Sequence, residues 1–191
     1  MTTQKTSSNP LLDVAYIAVF AALIIVLAFV AIPVGAAGVP IVLQNAAVIL
    51  TGLILGPKRG FLAVALFLGL GLIGLPVLSG GKTTLAAIAG PTVGYLVGYL
   101  VAVVVAGLIS YSSPKGKPNA LIAFLIVAGL AALATQYLCG TIGLMIRSDM
   151  TITAALAVNL PFIIPDLGKL AAVVVIAYSV LRALPDIRSR R

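Results

Sequence analysis

The sequence predicts an all-α membrane protein: a bundle of six transmembrane helices, the sixth preceded by a broken or re-entrant segment. The first observation behind this prediction is the composition: 62% of the 191 residues are apolar and only 8% are charged. A soluble domain needs about a quarter charged residues to hydrate its surface. Length is the second, since about 20 helical residues cross a bilayer and short connections leave room for six crossings.

Six apolar stretches follow one another, separated by proline, glycine or charge clusters. They cover residues 11–32, 40–55, 60–75, 85–110, 119–146 and 152–184. Each run is continuous rather than alternating, which does not fit a membrane β-barrel. The first run is longer than a signal-peptide core, so we expect a first helix rather than a cleaved signal. No linker divides the stretches, and residues 1–191 are predicted to form a single integral membrane domain.

The sixth stretch contains two prolines, Pro161 and Pro165, which predict an interruption. Counting back from Leu184, the 19 residues that begin at Asp166 measure about 28 Å, almost a full crossing. Asp166 and Lys169 are therefore predicted to lie in the outer leaflet. Residues 152–164 are then expected to be re-entrant or interfacial.

Basic residues alternate between connections, which predicts the orientation through the positive-inside rule. The connections on one side carry Lys5, Lys58, Arg59, Lys115, Lys117, Arg182, Arg188, Arg190 and Arg191. Those on the other side carry only Lys82 and Arg147. Both termini are therefore predicted to be cytoplasmic. The net charge of +8 is attributed to topology rather than to nucleic-acid binding, because the basic residues form no folded face with aromatic side chains.

Two charged side chains, Asp166 and Lys169, lie well inside an apolar stretch, where ionisable groups usually mark a functional site. Three positions apart, they share a helix face. An ion pair that satisfies only itself is the alternative, but a buried pair adds little net stability. We therefore favour a ligand that uses both charges. Further polar candidates at a similar depth are Gln44, Asn45, Tyr95, Tyr99 and Asn159.

The third connection, residues 74–84, is rich in glycine and is expected to be either a lid or a simple connector. Its Gly-Lys-Thr string at 81–83 is not a P-loop, because Pro76 occupies the position where the first glycine is required. Glycines at four-residue spacing, Gly52 and Gly56 and then Gly90, Gly94 and Gly98, predict close helix packing.

Five segments resemble the BioY family, the biotin-binding S components of energy-coupling-factor (ECF) transporters. They are 39–45 (VPIVLQN), 55–60 (LGPKRG), 74–81 (GLPVLSGG), 90–95 (GPTVGY) and 159–169 (NLPFIIPDLGK). One departure is Lys82, which stands where the family often has a small or amide residue.

The resemblance implies a multi-pass protein of a prokaryotic cell (inner) membrane that binds biotin from outside with high affinity. It implies a pocket closed by the first and third external loops, no cofactor or metal, and partner chains: a transmembrane T component and two ABC-type ATPases. Ala18 and Ala22 would dock the T component. Ligand contacts are expected from Asp166, Lys169, Gln44, Asn45, Tyr95, Lys82 and Asn159, with apolar packing from Leu75, Leu78, Ile41 and Leu43.

Other function classes fit the sequence less well. An enzyme is disfavoured, because histidine and glutamate are absent and the single cysteine, Cys139, has no evident base. A retinal-type pigment on Lys169 is weakened by the six-helix count and the absence of tryptophan. A stand-alone, ion-coupled secondary transporter of a small carboxylated solute remains the alternative, since broken helices with buried charge also occur in such carriers.

Overall fold

A computed structural model describes residues 10–32, 41–114 and 116–189, and helices dominate these ranges. In chain order the elements are α1 (Pro10–Ala28), β1 (Ala31–Ile32), β2 (Ile41–Val42), α2 (Gln44–Leu72), a 3-10 turn (Ser79–Gly81), α3 (Thr84–Ala89), α4 (Val93–Tyr111), α5 (Pro118–Ser148), α6 (Ile152–Ala183) and α7 (Asp186–Ser189). Among the described residues, five helices are long and apolar enough to cross a membrane: α1, α2, α4, α5 and α6. The predicted all-α membrane class is confirmed at this level.

Gly56 divides α2 into two arms, residues 44–55 and 57–72. Its backbone has φ +78° and ψ −176°, a conformation open mainly to glycine. Pro57 then starts the second arm, where a missing N–H does no harm. A Cβ on Gly60 would lie 3.4 Å from the Cα of Gly52, whereas an unbroken helix would separate these residues by about 12 Å. The arms therefore fold back on each other and correspond to the predicted second and third stretches.

Glycines let α4 approach both α2 and α5 closely. A Cβ on Gly52 would come within 2.5 Å of the Val103 carbonyl oxygen, and one on Gly94 within 2.7 Å of the Gly143 Cα. The predicted close packing is confirmed at these sites. Gly90 differs, because it ends α3. The predicted fourth stretch is thus two helices separated at residues 90–92.

The core lies between α2, α4, α5 and α6, where Leu53, Ala102, Leu125 and Ala177 are fully buried. Alanines pack there beside leucines, isoleucines and valines in one cluster, as a densely packed interior requires. Cys139 remains a free thiol on α5.

α1 packs on this core with one face and leaves the other open. Ala21 and Ile24 are buried and belong to a cluster that includes residues of α2 and α4. Ala18 and Ala22, the predicted docking residues, are exposed on the outer face. A two-residue antiparallel ribbon, β1 with β2, connects α1 to α2.

Charges gather at the two ends of the bundle. At the Gly56 end, Arg59 pairs with Asp13 at 2.9 Å and donates to the Ile187 carbonyl at 3.0 Å. At the opposite end, Arg147 donates to the carbonyls that end α3, at 2.9 and 3.1 Å. The separation of Arg59 from Arg147 follows the predicted alternation. Four of the predicted cytoplasmic residues lie outside the described residues: Lys5, Lys115, Arg190 and Arg191.

α6 is continuous over 32 residues, with both prolines inside it, so the predicted break before the sixth helix is wrong. A proline has no N–H to bond the carbonyl four residues earlier in a helix. The Ala157 carbonyl therefore receives no bond from Pro161, and the Pro161 carbonyl receives none from Pro165. The two prolines lie four apart and both line a cavity. The unbonded carbonyls therefore share one side of the helix, away from its packed core face, and the helix tolerates them.

Candidate ligand-binding site

A cavity of about 850 Å³ opens at the end of the bundle opposite Gly56. Its walls come from β2, the start of α2, the loop before α3, α3 itself, α4, α5 and α6. The lining residues are Ile41, Val42, Gln44, Asn45, Leu78, Ser79, Gly80, Lys82, Ala87, Thr92, Tyr95, Leu96, Tyr99, Gln136, Tyr137, Val158, Asn159, Pro161, Phe162, Pro165, Asp166 and Lys169. Mostly apolar walls with a few convergent polar groups are typical of small-molecule sites.

Asp166 and Lys169 form an ion pair in the wall of this cavity. Asp166 is only 5% exposed, and its second oxygen accepts a hydrogen bond from the Tyr137 hydroxyl at 2.5 Å. Lys169 also donates to the Val42 carbonyl and to the Asn45 side-chain oxygen, each at 2.8 Å. The pair therefore connects α6 to α5, to β2 and to the start of α2.

A second polar network is centred on Asn159, which precedes Asp166 along α6. Asn159 accepts a hydrogen bond from the Tyr95 hydroxyl at 2.6 Å and donates to the Thr141 hydroxyl at 2.9 Å. These contacts join α4, α5 and α6 through one buried amide. Because its partners are fixed, the amide holds Tyr95 against the cavity wall.

Two glutamines fix the backbone around the start of α2. Gln44, 2% exposed, donates to the Val77 carbonyl at 2.9 Å. Gln136 of α5 donates to the Asn45 carbonyl at 3.3 Å. The first contact holds the loop that follows α2 over the cavity, and the second fixes the residue that bonds Lys169.

The loop that follows α2 covers part of the cavity mouth. Leu78 and Lys82 pair as an isolated antiparallel bridge, and Gly80 and Gly81 turn with positive φ between them. Leu78 and Lys82 line the cavity. Leu75, predicted to pack against a ligand, does not line it and is 45% exposed.

All seven residues predicted to make polar ligand contacts therefore surround one cavity, and so does Leu78, whereas Leu75 does not. Ile41 also lines it, whereas Leu43 does not. The start of the segment 39–45, Val39 and Pro40, lies outside the described residues. The contacts show proximity to a cavity and leave the role of each residue as a prediction.

Sequence reasoning missed three prominent wall residues: Gln136, Tyr137 and Phe162. The adjacent glutamine and tyrosine offered a usable signal, because two polar side chains interrupt an apolar run of α5. Phe162 lies in the family-like segment 159–169, but its residue type gave no signal, since an aromatic residue in an apolar helix is ordinarily a lipid-facing or core residue.

The described residues contain no group of three or more His, Cys, Asp or Glu that could hold a metal ion. What the cavity offers is hydrogen bonding at its polar wall and apolar contact elsewhere. Several spanning-length helices that enclose a cavity at one end are typical of a membrane protein that takes up a small solute.

Comparison with known proteins identifies the family. The BioY family model matches residues 1–186. A biotin transporter BioY from Rhodobacter capsulatus is 40% identical over 184 residues, covering 91% of this chain and 95% of the relative. A biotin transporter BioY from Lactococcus lactis subsp. cremoris is 35% identical over 172 residues, covering 90% and 91%. The chain belongs to the BioY family.

The fold is also similar to a solved structure, the S-component for biotin from an ECF-type ABC transporter. The TM-score is 0.78 at 32% identity, and the match covers 95% of both chains. The predicted family is therefore confirmed. The relatives are named as transporters, which confirms that the chain is a transporter component rather than an enzyme.

Proposed function

We propose that this chain is the high-affinity biotin-binding component of a biotin uptake transporter in a prokaryotic cell membrane. One observation carries the proposal: a chain of the BioY family holds the Asp166–Lys169 pair in the wall of a cavity of about 850 Å³. That volume falls within the range of about 300–1,000 Å³ that accommodates small-molecule ligands.

Biotin matches the chemistry of the cavity. Its ureido ring offers two N–H donors and one carbonyl, its tail ends in a carboxylate, and the remainder is apolar. Asp166 has one protein donor on each oxygen, and a carboxylate has about four acceptor positions. A ureido N–H can therefore bond Asp166 without displacing Tyr137 or Lys169.

Lys169 has less capacity for a ligand. An ammonium has three N–H donors, and Asp166, Val42 and Asn45 accept all three. A ureido oxygen or a tail carboxylate that bonds Lys169 takes the place of one of them. We assign that exchange to Asn45, because a side-chain amide moves more easily than the Val42 backbone.

Lys82 is placed to meet the tail of the ligand. Its side chain is exposed and lines the cavity, and its backbone pairs with Leu78. We propose that it attracts the tail carboxylate. Biotin amide, which lacks that charge, should bind wild type and Lys82→Gln equally, whereas biotin should bind the variant less tightly.

The orientation in the membrane is proposed from charge. The basic residues at the Gly56 end favour the cytoplasm for this end, which leaves the cavity open to the outside. Six crossings result when the two arms of α2 are counted separately. At about 48 Å, α6 is longer than the hydrocarbon layer of about 30 Å, so its first part, 152–164, is proposed to lie at the outer interface.

The energy source is proposed to be a partner module of a transmembrane T component and two ABC-type ATPases. The solved relative is described as part of an ECF-type ABC transporter. The exposed small residues Ala18 and Ala22 on α1 offer a flat surface on which a partner helix can pack closely.

Ligand identification tests the substrate. The protein is purified in detergent and denatured, and the released small molecules are assayed for biotin. Recovered biotin, or tight binding of added biotin, supports the proposal. Absence of both overturns it.

Uptake in liposomes tests the energy source. Biotin accumulation is expected only when the ATPase module is present. Accumulation by the chain alone, driven by a proton gradient, would instead establish the ion-coupled secondary transporter.

A further inference from the structure

A second cavity, independent of the biotin site, lies at the Gly56 end of the bundle between the start of α5 and the end of α6. Its volume is about 420 Å³. Leu121 and Leu181 form its floor and are 7% and 4% exposed. We call it the basic groove, because Lys117, Arg182 and Arg188 line it together with one acid, Asp186.

Arg188 is a fixed part of the wall of the basic groove. Its guanidinium donates to the Ser110 carbonyl at 3.0 Å and to the Ser113 hydroxyl at 2.9 Å. It also lies 5.3 Å from the centre of the Tyr111 ring. Because these contacts already fix the guanidinium, an anion can bind next to it without the entropic cost of ordering the arginine side chain.

Lys117 and Arg182 supply the more accessible charges. Both side chains are exposed. Lys117 precedes α5 and makes no capping hydrogen bond with its side chain. The first turn of this 31-residue helix adds the positive end of the helix dipole at the same place. Three cations, one acid and a helix N-terminus thus favour an anion.

We propose that the basic groove binds the phosphate headgroup of an anionic phospholipid. The groove lies where membrane-spanning helices end, which is the level of the headgroups. Its apolar floor suits the glycerol and upper acyl region, and its basic rim suits the phosphate. Basic pockets between helix ends recognise anionic headgroups in other membrane proteins. A free phosphate would gain nothing from the apolar floor.

The test measures lipid retention in the intact protein. Wild type is placed in nanodiscs of equal parts phosphatidylglycerol and phosphatidylcholine, extracted with mild detergent, and examined by native mass spectrometry. The double variant Lys117→Gln with Arg182→Gln removes two charges and leaves the anchored Arg188 in place. Lys58→Gln is the matched control, since Lys58 is exposed at the same end and does not line the groove.

Wild type and Lys58→Gln should retain phosphatidylglycerol in preference to phosphatidylcholine. The double variant should retain about fivefold less phosphatidylglycerol for each charge removed. Equal retention of the two lipids by wild type would overturn the proposal, and so would an equal loss in Lys58→Gln. Biotin binding, measured on each sample, verifies that the variants are folded.

A second arm separates a lipid headgroup from free phosphate. Inorganic phosphate at millimolar concentration should leave the retained lipid in place. Displacement of phosphatidylglycerol by inorganic phosphate would assign the groove to a soluble anion and overturn the lipid proposal.

Discussion

Asp166→Asn removes the negative charge from the cavity wall and keeps the size of the side chain. In the proposed complex the carboxylate accepts three bonds, from Tyr137, from Lys169 and from a ureido N–H of biotin. An amide has only one oxygen. Because Lys169 cannot accept a hydrogen bond, the amide oxygen must face Lys169 and the amide N–H₂ must face Tyr137.

The loss of affinity follows from this rearrangement. The ureido N–H must then share one neutral oxygen with Lys169, and it loses a charge-assisted hydrogen bond. Such a bond contributes about 1.5–3 kcal/mol. Biotin affinity should therefore fall about 10- to 100-fold, measured by titration calorimetry on detergent-purified protein.

Lys169→Ala removes the cation of the same ion pair. It leaves the carboxylate of Asp166 buried without its cation, which costs about 3–5 kcal/mol of stability. We therefore expect a lower melting temperature as well as weaker biotin binding. Asp166→Asn leaves Lys169 with three neutral acceptors, which are the Val42 carbonyl, the Asn45 side chain and the new amide oxygen, and should lower the melting temperature less.

Asp13→Asn is the matched control. It makes the same carboxylate-to-amide change in an ion pair, with Arg59 at 2.9 Å, at the end of the bundle away from the cavity. Biotin affinity should be unchanged in this variant. Wild-type affinity in both Asp166→Asn and Lys169→Ala would refute the role of the pair, and an equal loss in Asp13→Asn would show that the effect is not local.

Three further changes test contacts around the site and the packing. Tyr137→Phe removes the hydroxyl that donates to Asp166 at 2.5 Å, and biotin affinity should fall about 10-fold in the same titration. Gly143→Ala places a methyl group 2.5 Å from the backbone of α4 and should cost about 1–3 kcal/mol, seen as a lower melting temperature; Gly168→Ala, with open space around it, should not. Arg147→Gln removes two hydrogen bonds to the end of α3 and should speed biotin dissociation in a chase experiment, because the covering loop leads directly into that helix; an unchanged rate would contradict this.

The sequence singled out residues that line one cavity because charges are rare in this chain. In a sequence with 8% charged residues, an aspartate and a lysine inside an apolar stretch stand out whatever the fold. The same reasoning located the Gly56 turn, since Gly-Pro followed by two basic residues interrupts an apolar run. Both signals depend on local composition alone.

Other features depend on tertiary geometry and were not predictable. Leu75 belongs to a predicted segment, but it directly follows the turn at Gly74, where φ is +100°, and its side chain is exposed outside the cavity lining. The prolines predicted a break in α6, yet their unbonded carbonyls share one side of the helix and the helix continues. Tyr137 lines the cavity because of the rotation of α5 about its own axis where it packs against α6. The sequence pattern does not fix that rotation.

The sequence allowed two interpretations of the ion pair, a purely structural pair or a pair that binds a ligand, and the structure has features of both. Asp166 and Lys169 are partnered by protein groups, as a purely structural pair would be, and they also line the cavity. Their spare capacity is unequal, because the carboxylate has free acceptor positions while the ammonium has used its three donors. A ligand therefore gains more by donating to Asp166 than by accepting from Lys169. In the proposed complex, this inequality favours the ureido N–H groups at the pair and leaves the tail carboxylate of biotin to Lys82.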